Sequence, residues 1–79
     1  MPDSAESYKV TKEEGGGYRL TGERLERFAG RTDFSNEEAL DRFRDILRRM
    51  GVIHELTRRG LRPGDLIYIG KNDIASFNF

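Results

Sequence analysis

The chain has no cysteine and a single histidine in 79 residues, carries no excess charge of either sign, and contains no long apolar run. Each shortage removes a class of chemistry. Without cysteine there are no disulfides, thiolate metal sites or cysteine nucleophiles, a profile expected of a chain in the reducing cytoplasm. His54 has no second histidine or cysteine with which to share a metal, and a lone imidazole beside Ile53 on a helix is read as a partly exposed structural side chain. No segment is long enough to span a membrane, and Met1-Pro2-Asp3-Ser4-Ala5-Glu6 lacks the basic-then-apolar pattern of a secretion signal, so a soluble chain without membrane association is expected. A length of 79 residues limits it to one small domain and excludes a large enzyme.

Hydrophobic and charged residues each make up 35% of the chain, with 14 basic side chains against 14 acidic. That leaves enough Leu, Ile, Val and Phe for a packed core, unlike a disordered polyelectrolyte. Residues 1–7 are polar and unpatterned and read as a linker; the folded domain is expected over residues 8–79.

Tyr8 and Val10, then Tyr18 and Leu20, alternate with polar neighbours on either side of Glu13-Glu14-Gly15-Gly16-Gly17. Period-2 patterning around a glycine cluster predicts a β-hairpin. The glycine triplet is read as its tip rather than as a phosphate cradle. A short helix follows, capped by Thr21, with Leu25, Phe28 and Ala29 on one face and its end marked by Gly30. The next helix is spelled out most fully. Ser35 and Glu38 form a capping box, and Phe34 is placed to staple onto Ala39. Ala39, Leu40, Phe43, Ile46, Leu47 and Met50 fall within an arc of about 120°. Its acids come first and Arg48 and Arg49 last, as the helix dipole favours, with Glu38–Arg42 and Asp45–Arg49 as i,i+4 pairs.

Gly51 ends that helix, with Val52 placed to touch Leu47. A third helix carrying Val52, Ile53 and Leu56 stops at Gly60 by the same device, with Leu61 placed against Leu56. Arg62-Pro63-Gly64-Asp65 predicts a type II turn. Leu66 to Ile69 and Ile74 to Phe79 then read as strands around Gly70-Lys71-Asn72-Asp73, with Ala75, Phe77 and Phe79 on one face. The expected fold is a small single α+β domain, order β-β-α-α-α-β-β, with short, mostly antiparallel strands packed on helices. Its Phe-rich last strand is a possible sheet edge needing cover.

The search for chemistry yields little. Carboxylates at helical spacing, such as Glu37 with Asp41 or Asp41 with Asp45, each neighbour an arginine on a solvated face, which does not suit acid/base catalysis. Gly64 to Asn72 resembles a P-loop superficially, but five residues separate the glycines where the motif needs four, and Asn72 stands where Ser or Thr would hold Mg²⁺. Nucleotide binding there is rejected. The basic side chains are the remaining lead. Residues 18–62 hold 11 arginines and 8 acids, so the zero net charge conceals a basic middle between two slightly acidic flanks. Arg48, Arg49, Arg58, Arg59 and Arg62 lie at two helix ends and the following turn. They are read either as dipole complementation on a solvated face or as a patch for RNA or an acidic protein. Base-stacking aromatics are missing from this stretch, which disfavours the RNA option.

The series Thr21-Gly22-Glu23-Arg24-Leu25-Glu26-Arg27, Thr32-Asp33-Phe34, Met50-Gly51-Val52, Glu55-Leu56, Gly60, Pro63-Gly64-Asp65, Ile67, Ile69-Gly70 and Phe77-Asn78-Phe79 resembles the C-terminal domain of the Obg family of bacterial GTPases, over about residues 8–79. The resemblance implies an accessory domain attached to a glycine-rich N-terminal domain and a Mg²⁺-dependent GTPase domain. It implies action in large ribosomal subunit assembly and in stress, growth and cell-cycle control, with links to guanosine tetraphosphate signalling. GTP or GDP and Mg²⁺ would belong to the parent protein; none is expected in this fragment, nor any catalytic residue. The matched Thr32, Asp33, Phe34, Ser35, Gly51, Gly60, Gly64 and Asp65 look structural. Implied partners are the parent G domain, the large ribosomal subunit through its RNA or proteins, or a stress-signalling protein, met by a cytoplasmic monomer. An RNA-binding module using the arginine-rich helix ends is the alternative. Lys71-Asn72-Asp73-Ile74-Ala75-Ser76 departs from the family, which would have a tighter turn and a more acidic final strand, leaving the register of the last hairpin open.

Overall fold

Two pairs of strands with apolar residues at alternate positions must share a core with three helices, and one sheet covered on one face satisfies both. A computed structural model describes residues 8–79; the linker expected over residues 1–7 lies outside the described residues. The strands are β1 (Lys9–Lys12), β2 (Tyr18–Thr21), β3 (Leu66–Ile69) and β4 (Ala75–Asn78), and the helices are α1 (Glu23–Gly30), α2 (Glu37–Arg49) and α3 (Val52–Arg58), in the expected order β-β-α-α-α-β-β. They form a four-stranded sheet in the spatial order β1-β2-β3-β4. The outer pairs are antiparallel, and the central β2–β3 pair is parallel, with Tyr18 opposite Ile67, Arg19 opposite Tyr68 and Leu20 opposite Ile69. A parallel pair needs a crossover, and the three helices supply it.

Register then sorts the side chains. Tyr18, Leu20, Ile67, Ile69 and Phe77 are buried together with Leu25, Ala29, Phe43, Leu47, Val52, Leu56 and Leu61 of the helices and the loop that follows them. Thr11, Arg19, Tyr68 and Ser76 form a transverse row on alternate positions. In that row the Arg19 side chain, 19% exposed, is fixed by Glu13 at 2.8 Å and Asp73 at 2.6 Å. It also donates to the Gly70 carbonyl and lies over the Tyr68 ring at 5.1 Å. Its two carboxylate partners hold the guanidinium in its charged form, raising its pKa. One side chain thus ties the first hairpin to the second. From the helix-facing side, the buried Tyr18 hydroxyl donates to the Arg59 carbonyl at 2.7 Å, anchoring the end of α3 to β2.

The helix ends show which local signals prevailed. Thr21 does not cap α1; Gly22 is the N-cap, without a side-chain cap, and its own N–H donates to the Glu26 carboxylate at 3.1 Å. At the other end Gly30 is the last helical residue, and Thr32 satisfies the final turn, donating through its hydroxyl to Phe28 and its N–H to Ala29. Ser35 does not cap α2 either. Asp33 accepts from both the N–H and the hydroxyl of Ser35, at 3.0 and 2.6 Å, and this local turn moves the helix start along by one residue. Asn36 becomes the N-cap, accepting from the Ala39 N–H at 3.0 Å. The staple positions become Ser35 and Leu40, and Phe34 instead joins an aromatic trio with Phe43 and Phe77, at centroid distances of 5.3 and 5.8 Å. Along α2 the Asp45–Arg49 pair forms, with Arg48 on the same acid and Arg44 on Asp41; a Glu38–Arg42 pair is not found among the described residues.

The glycine stops are where expected. Gly51, at φ +80°, donates to the Arg48 carbonyl and accepts from the Glu55 N–H, ending α2 and capping α3 at one residue. At Gly60 both Schellman bonds form, Gly60 to Thr57 at 3.1 Å and Leu61 to Leu56 at 3.0 Å. The Arg62–Asp65 turn closes with an Asp65 N–H to Arg62 carbonyl bond of 3.0 Å, with Gly64 at φ +94°. In the last hairpin Leu66 faces Asn78, Ile67 faces Phe77, Tyr68 faces Ser76 and Ile69 faces Ala75. The final strand starts at Ala75, one residue later than expected, because Asp73 adopts φ +53° in the loop. β4 is a sheet edge, and Arg44 donates to its Asn78 carbonyl at 2.8 Å.

Two predictions follow from this packing. At Gly17 (φ +86°) an added Cβ would lie 2.5 Å from the Leu66 carbonyl oxygen, whereas at Gly15 it meets nothing within 4 Å. Gly17→Ala is expected to cost about 1–3 kcal/mol in urea unfolding and Gly15→Ala less than about 0.5 kcal/mol. The second concerns Asp33, whose carboxyl is held below its ordinary pKa by the Ser35 hydroxyl and then the Ser35 N–H. A depressed carboxylate stabilises the fold above its unfolded pKa of about 3.9 and loses that contribution as pH falls through the lower folded value. The Tm gap between the native chain and Asp33→Ala should therefore be widest near neutral pH and shrink below about pH 4.

Candidate functional site

Helices that place acids first and bases last leave their arginines at the C-terminal ends. Arg48 and Arg49 close α2, both paired with Asp45 at 3.5 and 3.6 Å, and the Arg49 side chain is 82% exposed. Arg58 and Arg59 close α3 and share Glu55, at 3.8 and 2.8 Å. The Arg59 hydrogen bond is the main reason the Glu55 carboxyl is held below the usual range, with Arg58 adding to it. Arg62 is exposed in the turn beyond Gly60. Arg58, Arg59 and Arg62 gather at one end of α3, and Arg48 and Arg49 stand beside Gly51 at its other end, separated by a helix of about 10 Å. His54 is exposed on the same helix. Among the described residues no group of three or more His, Asp or Glu is placed to hold a metal ion.

The nucleotide-binding lookalike fails on geometry as well as spacing. Leu66–Ile69 is strand β3, and the amides at its ends are already spent: Gly64 donates to Phe79, Asp65 to Arg62 and Gly70 to Leu20. Those three amides are not left to cradle a phosphate. These residues do not fit GTP and Mg²⁺.

Depressions formed by described residues lie on the helix layer. One runs along α2, lined by Glu38, Asp41, Arg42, Arg44, Asp45 and Arg48, three acids against three bases. The other is a groove of about 320 Å³ between α1 and α2, lined by Arg24, Phe28, Ile46, Arg49 and Met50. Sequence reasoning missed the groove. The apolar stripes of both helices were visible, but Ile46 and Met50 were assigned wholly to the core, and nothing in the spacing brings Arg24 to Arg49.

Residues 8–79 match the family described as "Domain of unknown function (DUF1967)". The chain is 39% identical over 69 residues to a GTPase Obg of Onion yellows phytoplasma (strain OY-M) and 36% identical over 69 residues to a GTPase Obg of Aster yellows witches'-broom phytoplasma (strain AYWB). Each alignment covers 87% of this chain and 16% of the relative, so the chain spans about one sixth of those proteins. No solved structure matches. The matched part is the non-catalytic C-terminal part of GTPase Obg, and this segment is not itself catalytic. Its fold-defining glycines, its β-β-α-α-α-β-β order and these matches together place the chain in the DUF1967 family, the C-terminal domain family of the Obg GTPases.

Proposed function

We propose that this accessory domain is a docking module of an Obg-type GTPase that acts in large ribosomal subunit biogenesis and in stress and growth control. The observation that carries the reading is the match of residues 8–79 to the DUF1967 family together with 36–39% identity over 69 residues to proteins named GTPase Obg. In this reading the parent protein binds GTP and Mg²⁺ in its own G domain, works in the cytoplasm, and uses the present domain to hold the G domain against the large subunit or a stress-signalling protein. The domain's contribution is a rigid surface. Its two hairpins are locked together by Arg19, and its guanidiniums are displayed at the ends of α2 and α3, where they suit phosphate or carboxylate recognition.

Sedimentation of the monomeric domain with purified large ribosomal subunits tests this. Association that weakens as salt rises is expected, and Arg58→Glu/Arg59→Glu/Arg62→Glu should reduce it by at least about fivefold while leaving the circular dichroism spectrum intact. Absence of association with the subunit and with the parent G domain at low salt would contradict docking. Equal affinity for naked ribosomal RNA and intact subunits would replace it with the RNA-binding alternative.

A further inference from the structure

We infer that Arg19 is the shared latch of two turns at opposite ends of the sheet, so that loosening the turn of one hairpin loosens the turn of the other while the strands between them stay paired. The device lies within the domain and does not depend on which partner the domain docks to.

Because β2 and β3 run parallel, the first hairpin turns beside the start of β3 and the second turns beyond the end of β2. Each turn is seated on the other hairpin. A Cβ at Gly17 would meet the Leu66 carbonyl oxygen at the start of β3, and the Gly70 N–H donates to the Leu20 carbonyl at 2.8 Å. Arg19 lies between the two seats, on the sheet face away from the helices. Its Nε donates to Glu13 at 2.8 Å, at the first turn. Its Nη1 donates to Asp73 at 2.6 Å and to the Gly70 carbonyl, both in the second turn.

The second turn is the part built to open. Asp73, at φ +53°, is the one non-glycine residue with left-handed backbone among the described residues, a conformation held only where the surroundings offset its cost. The bond from Arg19 supplies that offset. Ile74 folds back so closely that a Cβ at Gly70 would meet its Cδ1 at 2.8 Å, yet it remains 47% exposed, so burial contributes little to closing the turn. The Asp73 side chain is 65% exposed, against 19% for Arg19. A basic side chain of a partner can therefore take that carboxylate from solvent.

Coupling follows from the shared guanidinium. Once one carboxylate has fixed it, the rotamer freedom that the second contact would cost is already lost. Each contact strengthens the other by the same factor. The Tyr68 ring, 5.1 Å from the guanidinium, keeps the charge over the β2–β3 seam when one carboxylate leaves.

NMR relaxation dispersion on the native domain, Glu13→Gln, Asp73→Asn and the double variant tests the latch. Both replacements preserve side-chain shape and stand outside the buried core, and Asn tolerates the left-handed backbone of Asp73. Glu13→Gln is expected to raise the open population of the second turn, read at residues 71–74, by at least about fivefold, and Asp73→Asn to loosen residues 13–17 by a similar factor. In the double variant the effects should combine to less than their product, while β2–β3 amides keep their native exchange protection throughout. Responses confined to the hairpin that carries the substitution would overturn the inference, as would effects that simply multiply in the double variant. Loss of β2–β3 protection in step with the turns would also overturn it, making Arg19 a support of the whole sheet.

Discussion

The parallel pairing of β2 with β3 is the constraint on which the rest of the structure depends. It joins residues 18–20 to residues 67–69, across nearly the whole helical segment. Antiparallel hairpins form from local chain, but a parallel neighbour must be delivered by a crossover, and closing so long a loop costs entropy before any contact offsets it. The offset comes from the core under the pair. Leu20, Ile67 and Ile69 are fully buried against Leu25, Phe43, Leu47, Val52 and Leu56, so the helices that make the crossover also bury its hydrophobic face. Two polar devices then hold the seam. Arg19 grips Glu13 from one hairpin and Asp73 from the other, and Tyr18 anchors the end of α3 through the Arg59 carbonyl.

This division of labour also explains how charge is distributed. Fourteen bases and fourteen acids are spent unequally. Arg19 bridges the two hairpins on the sheet face away from the core, Arg44 covers the sheet edge at Asn78, and Arg58 and Arg59 are drawn toward Glu55. In the α1–α2 groove, the described lining joins apolar Phe28, Ile46 and Met50 to Arg24 and Arg49. A high arginine count is therefore weak grounds for nucleic-acid binding in this chain; what matters is which guanidiniums stand beside surface that still gains from burial.

Much of the architecture was legible in the sequence for physical reasons. The stripe from Ala39 to Met50 has a single way to be buried, and Gly51 and Gly60 are placed where helices must reverse into left-handed geometry. The failures share a cause. Thr21 and Ser35 were read as caps because each is a good cap in isolation, but Glu26 and the Asp33–Ser35 turn compete locally, and the outcome moves the helix start by one residue. Period-2 alternation shows which face of a strand is buried and not which strand lies beside it, so the parallel β2–β3 pair was invisible. Arg19 escaped notice because its partners lie at positions 13, 70 and 73. The groove was hidden for a similar reason, since it is made by two helices whose relative placement only the folded sheet determines.

Native-state hydrogen exchange on the isolated domain addresses the central claim most directly. If the parallel pair organises the fold, amides of β2 and β3 will be the slowest to exchange and will open together with those of α2 and α3, at the free energy of global unfolding. Exchange of the two hairpins in independent steps, with β2–β3 amides opening well below the global value while α2 stays protected, would contradict it.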